Sequence, residues 1–311
     1  MIRVASIGEC MIELSQASGT LLSRSYGGDT LNTAVYLARL GVHVDYVTAL
    51  GDDPWSEEML RAWEAECVGT GRVVRVPGRL PGLYVITTDA AGQRSFHYWR
   101  DSAPARLLFD LPETPAIVRA LAEYDAVYLS GVSLSLYGEA GRARLFAALD
   151  DARAHNARIV FDTNFRPRGW PDRAVAKAAF RAALARADIV LASTEDLGLL
   201  FGDDGLAELP IGKGRAEVVV KLAEPAVRIH HDAVAQTIIA EPVEAVVDTT
   251  AAGDSFAAAY LAARLSGASP ADAARAGHRL AGAVVRHGGA IIPRAAMPEF
   301  ADIPHLRGQP S

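Results

Sequence analysis

Short apolar runs recur along this chain, and segments of ~10–18 residues with helical spacing separate most of them. "IRVASIG" is strand-like. "DTLNTAVYLARLG" then sets Leu31, Val35, Leu37 and Leu40 on one helical face, with Gly41 as its stop. "VDYVTALG" reads as a strand, and "SEEMLRAWEAEC" as a helix for which Ser56 is the expected N-cap. The alternation continues through strands at 126–131, 158–164, 188–193 and 217–222, with helices expected near 139–155 and 172–187. Such a pattern predicts an α/β fold. A parallel strand pair needs a long crossover, and the crossover helix must bury its apolar face on the sheet.

One region breaks this rhythm. "LYVITTDAAGQRSFHYWR" (83–100) alternates with period two around "DAAG", which predicts a β-hairpin. With "TLLSRSYGG" (20–28) it forms an expected antiparallel flap on the α/β body, placed to cover a site at the strand C-terminal ends. Near the end of the chain Ser269 is an expected N-cap, Pro270 suits the first helical position and Gly288 suits a stop. No internal repeat or linker divides the 311 residues, so a single domain is expected.

Half of the residues are hydrophobic and 22% are charged, which excludes wholesale disorder. A net charge of −6 offers no general attraction to nucleic acid or an anionic membrane. An anionic substrate then needs locally placed cations, and arginine must supply nearly all of them, since Lys177, Lys213 and Lys221 are the only lysines. Cys10 and Cys67 lie in no metal or disulfide spacing and are expected to be buried small residues. No secretory leader or membrane span is legible, so a reducing cytoplasm is the expected location.

Several familiar motifs are missing. No P-loop occurs, no G-x-G-x-x-G opens a helix, and "GVSLS" is not a hydrolase elbow. His230 and His231 are adjacent, a poor spacing for one metal. Two glycine-containing segments stand out instead. In "DTTAAGDSF" (248–256), small residues lead into the apolar run "AAAYLAARL". A helix starting near Gly253 leaves the N–H groups of Ala252, Gly253 and Asp254 without helical partners, and together with the helix dipole they make an anion site. Asp254 beside it is placed to take a proton from an attacking hydroxyl, and at its ordinary pKa it is ionised at neutral pH. A first-turn aspartate that only stabilises its helix fits the same residues. In "YGGDTLNTA" (26–34), Gly27 and Gly28 lead into a helix that Asp29 or Thr30 can cap, with Asn32 one turn on.

An early "GGDTLN" paired with a late "DTTAAGD" resembles the ribokinase-like (PfkB) carbohydrate kinases, over essentially the whole chain. "GECMIELS", "RLPGLYVI", "FHYWRDSAPAR", "FDTNFRPRGW" and "GAIIPRAAMP" are similar to the branch acting on 2-keto-3-deoxy sugar acids. The resemblance implies a three-layer αβα sandwich with a mostly parallel sheet, plus a β-lid built from about 14–28 and 72–106. It implies ATP as phosphoryl donor and Mg²⁺ carried with the nucleotide, with no metal held by the protein alone. Asp254 matches the catalytic base, and Ala251, Ala252 and Gly253 match the anion hole. Gly27, Gly28 and Asn32 fall where the sugar is held, and Tyr84, Tyr98, Arg100 and Arg166 match sugar-acid contacts. Arginine forks suit a carboxylate, although Arg166 can equally serve the phosphate. Asn164, Ser193, Lys221 and Gly253 fall on the nucleotide side.

The sequence also departs from the family pattern. Ala251 stands where glycine is frequent, which requires a negative φ if alanine is to serve. Ser193 and Asp196 replace an N-x-x-E, and "KLAEPAV" has Ala223 and Ala226 where K-x-G-x-x-G has glycines. A kinase of a neutral sugar such as fructose or ribose, and a non-catalytic sugar-acid sensor, are the alternatives. Open strand edges on the lid offer a route to self-association.

Overall fold

The first strand of the chain lies inside its largest sheet, with partners drawn from both sides. The computed structural model describes residues 2–88, 94–212, 216–232 and 234–300. Along the chain run β1 (Arg3–Ile7), β2 (Met11–Ser18), β3 (Leu21–Gly27), α1 (Asp29–Arg39), β4 (His43–Gly51), α2 (Pro54–Ala65), β5 (Val73–Val76), β6 (Leu83–Thr88) and β7 (Arg94–Trp99). Then follow α3 (Thr114–Leu121), β8 (Ala126–Ser130), α4 (Gly131–Leu136), α5 (Glu139–Ala154), β9 (Arg158–Asp162), α6 (Arg173–Leu184), β10 (Ile189–Ser193) and α7 (Thr194–Phe201). The last elements are β11 (Glu217–Lys221), β12 (Ala226–His231), β13 (Val234–Ile239), α8 (Ala252–Leu265) and α9 (Pro270–Val284).

The large sheet has the order β13-β12-β11-β10-β9-β8-β1-β4-β5. All its neighbours pair in parallel except β11–β12 and β12–β13, which are antiparallel. Strand residues alternate between two cores. In β8, Ala126 and Tyr128 face the core shared with Leu31, Trp63, Phe256 and Leu280, whereas Val127 and Leu129 face the one shared with Ile117, Leu145 and Phe180. Helices α1, α2, α8 and α9 thus cover one face and α3–α7 the other, which makes three layers. Among the described residues no helix is long and apolar enough to cross a membrane.

The second sheet has the order β3-β2-β6-β7. Its boundaries differ from those expected for a lid. It starts at Met11, and Val73–Val76 pairs with β4 in the large sheet instead. Its central pair, β2–β6, is parallel, so the sheet is not wholly antiparallel. The expected turn "DAAG" lies outside the described residues.

Three local expectations are corrected. Asp53, not Ser56, caps α2, accepting from the N–H groups of Trp55 and Ser56, because Pro54 takes the first helical position. Helix α9 ends at Val284, four residues before Gly288. Cys10 is buried, but Cys67 is exposed, at a positive φ just after α2.

Candidate active site

Parallel strands deliver their C-terminal ends to one rim, and there the polar residues collect. Glu9 follows β1, Ser130 ends β8, Asp162 ends β9, Ser193 ends β10 and Lys221 ends β11. Helices α1 and α8 begin at the same rim, and the small sheet stands over it. Between them lies a cleft of about 1870 Å³. Every site residue expected from the sequence lines it: Gly27, Gly28, Asn32, Tyr84, Tyr98, Arg100, Asn164, Arg166, Ser193, Lys221, Ala251, Ala252, Gly253 and Asp254.

Helix α8 starts at Ala252, with Ala251 as its N-cap. The N–H of Ala252 donates to Thr249 O at 3.2 Å, so it is already engaged. Among the described residues, the N–H groups of Gly253 and Asp254 donate to no backbone carbonyl. These two donors are the ones α8 offers to an anion, one residue later than the expected trio begins. A Cβ on Gly253 would lie 3.5 Å from Lys221 Nζ, which puts an ammonium beside this helix end. Ala251 is in the left-handed region, with φ of 59°, so the expectation of a negative φ is overturned. Alanine there carries a strain that glycine would not.

Asp254 receives the Asn32 side-chain amide at 2.8 Å. Thr33 Oγ1 also donates to Asp254 O at 3.3 Å, so α1 fixes the first turn of α8 at two points. The Asp254 carboxyl is pushed up to about 7, first by desolvation, then by the negative charge of Asp29. The Asn32 hydrogen bond pulls it down, Asp162 raises it and Lys221 lowers it. The ordinary aspartate pKa expected from sequence is therefore corrected. Solvent still reaches this carboxylate through the cleft, but protein packs against it on the other sides.

Three carboxylates absent from the expected set share this space. Asp29, first residue of α1, accepts from Asn164 Nδ2 at 2.6 Å. Asp162 takes both of its contacts with Lys221 Nζ at 3.3 Å, and burial raises its carboxyl against that cation. Glu9 is buried against Arg100 in an ion pair. Their signal in the sequence is positional: each charge sits just past an apolar strand or opens a helix, where a parallel sheet exposes its rim.

Other expected residues have definite local duties. Ser193 caps α7, its Oγ accepting the Asp196 N–H at 3.0 Å. Asp196 in turn accepts from Thr163 Oγ1 at 2.8 Å. Arg166 is 63% exposed and only 3.8 Å from Asp196, which leaves its guanidinium available. Tyr84 gives its hydroxyl to Glu13, and a Cβ on Gly27 would lie 2.0 Å from that hydroxyl, so glycine is needed there. Gly28 has an equally tight neighbour, Glu9 O, at 2.3 Å from an added Cβ. Tyr84, Phe96 and Tyr98 form a ring cluster on the small sheet with centroids 5.8–6.4 Å apart. Arg168 donates to Phe96 O at 3.1 Å, tying the loop after β9 to β7.

A shared, full-length match decides what kind of protein carries this site. Residues 1–297 match the pfkB family carbohydrate kinase profile. The chain belongs to the pfkB family of carbohydrate kinases. It is 46% identical over 305 residues to a 2-dehydro-3-deoxygluconokinase of Dickeya dadantii, covering 95% of this chain and 98% of that one. It is 42% identical over 318 residues to the Escherichia coli K12 protein of the same name, covering 95% and 99%. In structure it is similar to a Xylella fastidiosa fructokinase with bound ATP, with a TM-score of 0.81, 25% identity, and 98% of this chain and 97% of that one covered. The pfkB fold explains why residues from both ends of the chain meet in one cleft, and the chain is a sugar kinase of that family.

Proposed function

We propose that this pfkB kinase transfers the γ-phosphoryl group of ATP to the terminal hydroxyl of 2-keto-3-deoxygluconate (2-dehydro-3-deoxygluconate), giving the 6-phosphate. The observation that carries the reading is one cleft holding Asp254 at the α8 N-terminus together with five arginines, Arg100 and Arg166 among them. A neutral sugar gives arginine forks nothing to neutralise, whereas a sugar acid brings a carboxylate. The names of the relatives at 46% and 42% identity support the same substrate.

In this reading Asp254 takes the proton of the terminal hydroxyl as its oxygen bonds to phosphorus. A base with a pKa near 7 is matched to work at neutral pH. The N–H groups of Gly253 and Asp254, with Lys221, hold charge on the transferring group. Asn164 and Ser193 line the nucleotide side, and Gly27, Gly28, Asn32, Tyr84 and Tyr98 the sugar side. Among the described residues no three His, Cys, Asp or Glu side chains converge as a metal cage. Mg²⁺ fits as a companion of the phosphates, since it keeps several waters and needs few carboxylates. When bound, it would neutralise phosphate charge, and Asp162 and Asp196, at the end of β9 and the start of α7, are the cleft carboxylates that would face it, directly or through water. The small sheet serves as a lid that excludes water, and its open edges at β3 and β7 are the place for self-association in the cytoplasm.

A coupled ADP-release assay with ATP, Mg²⁺ and 2-keto-3-deoxygluconate, run beside fructose, ribose and no sugar, tests the proposal. Turnover that depends on the acid is expected. Comparable kcat/KM on fructose would discard the acid reading, and a chain without ATP affinity in calorimetry is a sensor.

A further inference from the structure

Glu9 occupies the short link between β1 and β2, the point where the small sheet leaves the large one. Its side chain is 1% exposed, and that of its partner Arg100, which follows β7, is 16% exposed. Arg100 Nη2 is in ion-pair contact with Glu9 Oε2. Among the described residues neither Glu9 oxygen meets a well-directed hydrogen-bond donor, and Arg100 Nε and Nη2 meet no well-directed acceptor. A Cβ on Gly82 would lie 2.9 Å from Glu9 Oε1 and 3.2 Å from Arg100 Cβ, so little space remains around the pair. Their mutual charge is the main attraction between these two groups, in a nearly dry wall of the cleft. In such surroundings a third charge acts strongly.

The other groups facing Glu9 do not replace Arg100. Arg106, in the turn at 104–107, attracts it, and Asp29 at the head of α1 repels it. Tyr46 of β4, Tyr137 after α4 and neighbouring Cys10 stay neutral, because burial pushes each of their protons' pKa values up. The substrate reading above brings a second carboxylate to Arg100. The cleft that would receive it is open to solvent and is also lined by exposed Arg166, whereas Glu9 is 1% exposed.

The geometry points to Glu9 as a proton-linked counter-ion of Arg100: it fixes the guanidinium until the sugar acid arrives, then takes one proton from solvent as the substrate carboxylate claims Arg100. One anion and one proton enter, the only bond made is the O–H of the Glu9 carboxyl with a proton given up by solvent or buffer, and the net charge of the cleft wall is preserved. Glu9 is thus a positioning residue acting through Arg100, and this role rests on the substrate being an acid. Burial already raises the Glu9 carboxyl above the usual range, and Arg100 is the strongest influence holding it down. Sharing Arg100 with a second anion weakens that hold. A neutral ketose leaves the Glu9–Arg100 pair intact and triggers no proton uptake, so the device also discriminates between substrates.

Titration calorimetry of 2-keto-3-deoxygluconate into the intact protein, in buffers of equal pH and different ionisation heat, counts the protons bound. Uptake of about one proton per acid is expected, with affinity weakening by up to ~10-fold per pH unit as pH rises. Glu9→Gln keeps the shape and should abolish both effects. Asp254→Asn, which removes the carboxylate raised to about 7, should leave the uptake in place. Binding of the acid without proton uptake, or uptake that survives in E9Q and disappears in D254N, overturns the Glu9 role while leaving the substrate reading intact. Fructose binding in place of the acid overturns the substrate reading, and the Glu9 role with it.

Discussion

Asn32 Nδ2 donates to Asp254 Oδ2 at 2.8 Å, a contact between residues 222 positions apart. This bond stabilises the ionised carboxylate against desolvation and the charge of Asp29. Replacing Asn32 by Ala removes that support, so the acid limb of kcat/KM should move to higher pH. A pH–rate profile of N32A whose limb coincides with that of the parent would mean that Asn32 does not tune Asp254.

Asp254→Asn should lower kcat by at least ~10²-fold without unfolding the chain. The same change has an opposite effect on stability. The Asp254 carboxyl is raised from 3.8 to about 7 on folding, so its stabilising contribution is present below its ordinary value and lost as pH rises through about 7. D254N should therefore melt at a higher temperature than the parent at pH ~8, with the gap narrowing towards pH ~4. Equal melting curves at both pH values would show that the site imposes no such strain.

Ala251 at φ 59° makes a further prediction. Glycine relieves a left-handed strain of ~1–2 kcal/mol but adds ~0.5–1 kcal/mol of chain entropy to the unfolded state. Ala251→Gly should thus stabilise the protein by roughly 0.5–1 kcal/mol in urea titrations and retain turnover, because the N–H groups of Gly253 and Asp254 are untouched.

Arg100→Met leaves Glu9 buried without its cation. It should destabilise the fold by ~3–5 kcal/mol at neutral pH, and less in acid, where Glu9 is protonated. The double variant Glu9→Gln with Arg100→Met should recover most of that loss. Both variants should lose far more kcat/KM on the sugar acid than on fructose. Equal losses on the two would show that Arg100 does not meet the carboxylate.

The fold was largely legible because its signal is repeated. Each apolar run beside a helical period points to the same layered sheet, so a boundary error such as Ser56 for Asp53 changes nothing downstream. The residues of the cleft were found through a resemblance carried by two glycine segments. Their energetics were not legible. Asp254 looks ordinary in "AAGDSF"; its shift comes first from burial and then from Asp29, with Asp162 adding to it, and all of these are set by other elements. Glu9 reads as an unremarked residue between "SIG" and "CMI", because nothing local announces that residue 100 will close over it. The left-handed φ of Ala251 likewise has no signal in alanine itself, which disfavours it.

The docking of α8 on α1 also bears on how the protein is made. Residues 1–51 already contain Asn32, Glu9 and two strands of the large sheet, yet Asp254 and its helix are synthesised long after them. A nascent chain can bury part of its sheet early, but the cleft gains neither the Asp254 carboxylate nor the N–H groups at the start of α8 until that helix has emerged. Chains that stop before α8 therefore lack one wall of the cleft, and turnover would report that the chain has been extended past Asp254.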